Sequence, residues 1–412
     1  MKNRMNNGLG GCLGWGLAGG LALGVVQAAD RPASAHAYLT GVPDYEWHIG
    51  CFGTATGNLM GYWDRHGLPD FYTGPTAGGV APLTSWSDRG IFSLWATKAG
   101  RDGRPADKPG HEDDYHVHYE STAPDPYLAD GRAAHAPDCL GDFIGLNQRN
   151  WTNMAGECSG NIDGYVFAYW DQTGARRTNH VPGPEAGLPA VDLPSGLRAW
   201  TQFRGADADV FTQLADFNPA VPPGTGFTYA DVIAEIDAGY PLLVFLQPYN
   251  EFFRSFPGME RANPSIHAML IYGYYLAGDG VERVYIKNSW GSSESDFLRE
   301  WTSDTWTPSI PEVSLPVRGV ISYRPKPRIT GIERVGDTFA IRWHGPTAEL
   351  YDAQAGTMRQ PHWYQIERSA VAESVSFLPV TDPSPELSAS VSVGSESSAF
   401  FRVRLVAAPS VD

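Results

Sequence analysis

The chain has 412 residues, 42% of them hydrophobic and 12% aromatic, with 46 Gly and 32 Pro. That aromatic content argues against a solvated, disordered coil, and the length suits two domains rather than one. A net charge of −16 argues against nucleic acid or an anionic membrane surface as partner, because both need basic surface.

In chain order, Lys2 and Arg4 precede an apolar, Gly-rich run from Gly8 to Val26. Val26-Gln27-Ala28 then offers small residues at a cleavage position. Residues 1–28 are expected to be a secretory signal cut near Ala28, with an uncleaved anchor as the alternative. Its loss removes two positive charges and leaves −18. No later segment is long and apolar enough to cross a bilayer. Cys12 leaves with the signal, so Cys51, Cys139 and Cys158 remain. Export favours disulfides. Cys139 and Cys158 are close in sequence and are the expected pair, against the alternative of two thiols. Cys51 is then the odd cysteine, and an odd thiol in an exported chain calls for a chemical reason.

Residues 29–45 are a short lead-in. The segment from Cys51 to about Trp63 reads as a helix, with Leu59, Met60 and Trp63 on its apolar face. Residues 64–225 are rich in loops, interrupted by fragments at Gly90–Thr97 and Leu140–Leu146. Thr228 is an expected helix N-cap, Val232, Ile233 and Ile236 an apolar stripe, and Gly239 with Pro241 the stop. Leu242–Leu246 reads as a buried strand. His267–Leu276 and Arg283–Lys287 read as two more, joined by the tight-turn sequence Ala277-Gly278-Asp279-Gly280. Tyr323–Pro327, charged and Pro-rich, reads as a linker. Beyond it, short strands at Phe339–Trp343, Trp363–Glu367, Leu387–Val393 and Phe400–Val406 suggest a small β-sandwich.

Several residues have types and positions that suit thiol chemistry. A thiolate attacks, an imidazole holds and passes the proton, and a third group orients the ring. Cys51 opens a helix, where the dipole favours negative charge and the Cys51 N–H can donate to a developing oxyanion. His267 opens an apolar strand. Asn288 follows 21 residues later at the end of the paired strand, so the tight turn brings both to one end of the sheet. Trp290 is then available to shield the pair from water. His116 and His118 share one side of a strand, but no third ligand stands at suitable spacing, so no metal or other cofactor is expected. A polar loop there, with Asp114 in contact with substrate, is the expectation.

His267-Ala268 with its apolar strand, followed by Lys287-Asn288-Ser289-Trp290-Gly291, resembles the catalytic His and Asn segments of the papain superfamily. Gly50-Cys51-Phe52-Gly53-Thr54-Ala55 is similar to the C39-like branch of bacterial cysteine peptidases, as is Ile236–Pro241. The resemblance covers about residues 40–70 and 228–300. It implies Cys51 as nucleophile, His267 as general base and acid, and Asn288 as the orienting residue. The run Phe400–Leu405 resembles the last strand of fibronectin type III-like modules of exported bacterial enzymes.

Three departures from the family pattern stand out. No Gln precedes Cys51 as oxyanion donor, leaving Tyr45 and His48 as substitutes. The third residue is Asn288, where the C39-like branch more often has Asp. The Cys-to-His interval is 216 residues, against roughly 130–150 in papain-type enzymes.

The expected architecture is α+β. A papain-like core spans residues 29–324, with an N-terminal helix carrying Cys and an antiparallel sheet carrying His and Asn. A β-sandwich follows at 325–412. The expected activity is peptide-bond hydrolysis through an acyl-thioester, by an enzyme secreted, periplasmic or at the surface of a bacterium, with a peptide or protein substrate. An amidase or transpeptidase of the same fold and a catalytically silent binding protein are the alternatives. Sequence leaves the oligomeric state open.

Overall fold

A computed structural model describes residues 35–46, 51–69, 71, 80–84, 124–129, 131–134, 140–144, 193–219, 221, 224, 226–246, 267–291, 297–303, 316–371, 376–392 and 399–409. The signal expected at 1–28 and the fragment expected at Gly90–Thr97 lie outside these residues. The fold is mixed, with mostly antiparallel strands in three sheets and, among the described residues, three helices of at least eight residues.

Helix α1 (Cys51–Arg65) is buried from Phe52 to Asp64, not along one face only. The physical reason is its run of small residues. Gly53, Ala55, Gly57 and Gly61 let other segments come close, and Gly61 backs directly onto the Tyr45 ring and hydroxyl, where a Cβ would collide. Polar groups answer the loops that cover this side. Asn58 Oδ1 accepts from the Tyr45 N–H and Asp64 Oδ2 from the Ala81 N–H, both at 2.9 Å. A helix buried on every side belongs inside a core.

The sheet beneath it is built from strands distant in sequence. β1 (Ala35–Leu39), β2 (Ala208–Leu214), β3 (Leu242–Leu246), β4 (His267–Leu276), β5 (Glu282–Lys287), β6 (Phe297–Glu300) and β7 (Val317–Pro325) belong to it. β4 is the organising strand. Its first half pairs with β3, Leu246 opposite His267, and its second half with β1, while β5 runs along the other edge. β3 is buried at all five positions between β4 and β7, which explains its uninterrupted Leu-Leu-Val-Phe-Leu. Helix α2 (Leu193–Phe203) packs on β2, and α1 packs on β4 and β3. Helix α3 (Tyr229–Asp237) starts at Thr228 in a capping box with Asp231. Gly239 follows its end at φ +87°, a left-handed position that suits glycine.

The first three residues of the expected linker at Tyr323–Pro327 are instead the end of β7, with Tyr323 fully buried, and Lys326 and Pro327 follow the strand. Pro325 stands beyond the last residue of β7 that pairs with β3, Ser322, so its missing N–H leaves no gap in that ladder. Lys326 then reaches Asp209 at 2.7 Å.

C-terminal to β7, β8 (Arg328–Val335), β9 (Thr338–His344) and β14 (Ser388–Ser392) form one three-stranded sheet. β12 (Trp363–Ser369), β13 (Leu378–Pro379) and β15 (Phe400–Val406) form another. Ile341, Trp343, Tyr364, Ile366 and Val391 fill a separate small core between them. The intervening hairpin, β10 (Leu350–Asp352) and β11 (Thr357–Arg359), leaves this region and extends the large sheet through β1. Ala348 and Leu350 are buried in the main core. The two regions therefore share a sheet.

Candidate active site

Cys51 is the first residue of α1, half-buried, and carries a thiol rather than half a cystine. The helix start supplies main-chain N–H groups and the positive end of the dipole at this residue. Phe52, the next residue, packs against Phe245 with ring centroids 6.4 Å apart. Phe245 is the register partner of Ala268, which follows His267. The helix start is thereby held over the strand ends that carry His267.

β4 begins at His267 and β5 ends at Lys287, so the chain leaving β5 returns to the His267 end of the sheet. His267 Nε2 lies 2.7 Å from the main-chain oxygen of Asn288. A carbonyl oxygen only accepts, so Nε2 carries the proton and the basic lone pair is on Nδ1. Asn288 thus meets the ring through its backbone. Its side-chain Oδ1 accepts from the Trp290 N–H at 2.9 Å and shapes the turn. The Trp290 ring lies parallel to the imidazole, 5.6 Å away at an interplanar angle of 10°, with 45% of the residue exposed. Trp290 therefore caps the histidine and faces solvent on its other side.

The same turn also touches the segment leading to the thiol. Gly291, at φ +93°, packs so closely on Glu46 that a Cβ would come within 3.0 Å of the Glu46 backbone. Glu46 stands five residues before Cys51. Burial holds the His267 pKa down to about 4, and the Arg299 charge adds to that; the Asn288 carbonyl pulls in the opposite direction. At neutral pH the ring is an uncharged base.

The other sequence-predicted residues divide into two groups. Tyr45 is buried, and its hydroxyl donates to the Pro82 carbonyl at 2.8 Å. It sits beside Gly61, ten residues along α1 from Cys51, or about 15 Å at the helical rise. Its side chain supports α1 and is turned away from the thiol. His48, Asp114, His116, His118, Cys139 and Cys158 lie outside the described residues. Among the described residues no group of three His, Cys, Asp or Glu could hold a metal ion, and no helix is long and apolar enough to cross a membrane.

Sequence reasoning missed Glu46 and Ser289. For Glu46 the available signal is Gly291, a residue type that permits a close neighbour and a positive φ. Ser289 was seen only as a letter of a motif, yet it is the one non-glycine residue at positive φ among the described residues, at 67°. No protein-family model, no curated protein and no solved structure matches this chain.

Proposed function

We propose that this chain is an exported papain-like cysteine peptidase, with Cys51 as nucleophile, His267 as general base and acid, and Asn288 as the residue that orients the imidazole. The observation that carries the reading is the double contact of the Asn288–Gly291 turn. One end of it meets the His267 ring at 2.7 Å, and the other packs on Glu46, just before a cysteine that opens a buried helix. The proposal also takes the core to be the papain-like domain and the C-terminal sheets to be an accessory sandwich of fibronectin type III-like kind. Export rests on Lys2, Arg4 and the apolar run that follows them.

The chemistry follows from the tautomer. Nδ1 of His267 takes the Cys51 thiol proton as the sulfur attacks the substrate carbonyl. The tetrahedral oxygen gathers negative charge at the N-terminus of α1, where the Cys51 N–H can donate to it. The imidazolium keeps its Nε2–H on the Asn288 carbonyl and returns the Nδ1 proton to the leaving amine, giving an acyl-thioester. Water, deprotonated by the same nitrogen, then hydrolyses the thioester and regenerates the thiol. A buried imidazole is uncharged before the reaction and is charged only while the proton is in transit.

The test is labelling by a thiol-directed probe, read by mass spectrometry at Cys51, in the wild type and in His267→Ala. Labelling faster than that of a simple thiol, lost in the variant, is the expected result. Equal rates in both would sink the reading. Hydrolysis of a peptide library, absent in Cys51→Ala, then distinguishes peptidase work from other acyl transfer.

A further inference from the structure

The Lys287–Gly291 turn contains a backbone feature that the proposed chemistry does not by itself require. Ser289 has φ 67°, left-handed backbone that an L side chain seldom occupies. Such a conformation persists only where its surroundings enforce it. Here Ser289 is fully buried, and its hydroxyl donates to the Ala268 carbonyl at 2.9 Å. Ala268 is the residue next to His267, and Asn288 is the residue next to Ser289. The two segments are therefore joined reciprocally. The side chain of residue 267 donates to the backbone of 288, and the side chain of 289 donates to the backbone of 268.

We infer that Ser289 is a positioning residue. Its left-handed backbone turns the Asn288 carbonyl toward His267 Nε2, and its hydroxyl anchors that turn to the strand carrying the ring. The main-chain carbonyl of Asn288, not its carboxamide, then fixes the tautomer with the lone pair on Nδ1. The carboxamide oxygen is engaged by the Trp290 N–H, whereas the carbonyl, in a turn tied at Ala268, is directed at the ring. The Asn288 side chain has a different task, holding the Trp290 N–H so that the indole stays parallel to the imidazole. This inference rests on the proposed role of His267 for its catalytic meaning, but the tautomer itself is independent of any activity.

The experiment reads the ring directly. Full-length protein labelled with ¹⁵N-histidine is studied by long-range ¹H–¹⁵N correlation across a pH series, with His267→Gln to identify the signal. In the wild type the His267 ring is expected in the Nε2–H form alone. Asn288→Ala keeps the carbonyl and is expected to keep that form. Ser289→Ala, which removes the anchoring hydroxyl, is expected to give a mixture of both tautomers and a titration moved further down, because the Asn288 carbonyl that opposes the effect of burial is no longer held on the ring. Ser289→Gly, which also frees the backbone, is expected to loosen the ring at least as much. The reverse pattern, a tautomer lost in Asn288→Ala but kept in both Ser289 variants, overturns the inference, as does a wild-type ring in the Nδ1–H form. Should Ser289→Ala not fold, Ser289→Gly and Asn288→Ala still decide between the two acceptors. Cys51 labelling that ignores His267 would defeat the peptidase reading and leave this result standing.

Discussion

Two buried histidines share an electrostatic signature and differ in what surrounds them. His267 stands at the end of β4; His362 stands where the chain enters β12. Burial pushes the first down to about 4 and the second down to about 3, with the nearby His66 adding to the second effect. His362 Nδ1 accepts the Ala348 N–H at 3.1 Å, and the ring packs against Tyr240 and Trp63, with centroids 5.1 and 6.1 Å away. Its lone pair is committed to the backbone that seals the seam between the core and the C-terminal strands. His267 carries its proton on the same nitrogen, Nε2, but bonds the backbone through that N–H, given to the Asn288 carbonyl, rather than through a lone pair given to an N–H. A depressed histidine pKa therefore marks burial in both places. The parallel, solvent-facing Trp290 and the helix-opening cysteine distinguish the one suited to the proposed chemistry.

The sharpest test of that contrast replaces each ring. His267→Ala is expected to lower peptide turnover by about 10³-fold or more while the protein stays folded. His362→Phe leaves the buried Ala348 N–H without its acceptor and is expected to cost about 1–3 kcal/mol of stability, with turnover retained. Turnover assays and denaturant melts on both variants check this, and equal losses of activity would erase the distinction.

Next in size are the glycines that close each region. Gly67, at φ +96°, lies against the Gly345 carbonyl, and Gly345 donates its N–H back to the Gly67 oxygen at 3.1 Å. Gly67→Ala is expected to destabilise the seam by on the order of 3 kcal/mol, measured by denaturant unfolding. Gly291→Ala strains the turn against Glu46 and is expected to lower turnover more than it lowers the melting temperature.

Acid brings the two regions together again. Both histidines have folded pKa values below the unfolded value of about 6.5. Between those values the unfolded chain binds more protons, so the folded state is favoured above about pH 6.5 and loses that contribution as pH falls through 4. His66, lowered chiefly by burial, acts in the same direction. Melting temperature is expected to drop steadily below pH 6.5, and less so in His362→Phe. Turnover, needing neutral His267, is expected to keep its acid limb near pH 4, below that of an exposed histidine. The smallest effect belongs to Trp290→Ala. Uncovering the ring is expected to raise the His267 pKa and reduce turnover about tenfold, or about 1.4 kcal/mol. A pH–rate profile reads both.

The legible parts of this protein are those whose causes are local. Thr228, the stripe of Val232 and Ile236, and Gly239 announce α3 because capping and periodicity are properties of neighbouring residues. Leu242–Leu246 and the turn between β4 and β5 are legible for the same reason, and so is the return of Asn288 to the His267 end of the sheet. Tertiary structure alone decided which distant strands pair, because no residue of β1, β7 or the Leu350–Arg359 hairpin encodes its partner. That is why Tyr323–Pro327 reads as a linker although its first three residues end a core strand. It also decided which atom of Asn288 faces the imidazole: a motif names a residue, while the direction of a carbonyl depends on the φ of the next residue, Ser289, and on the strand that holds it.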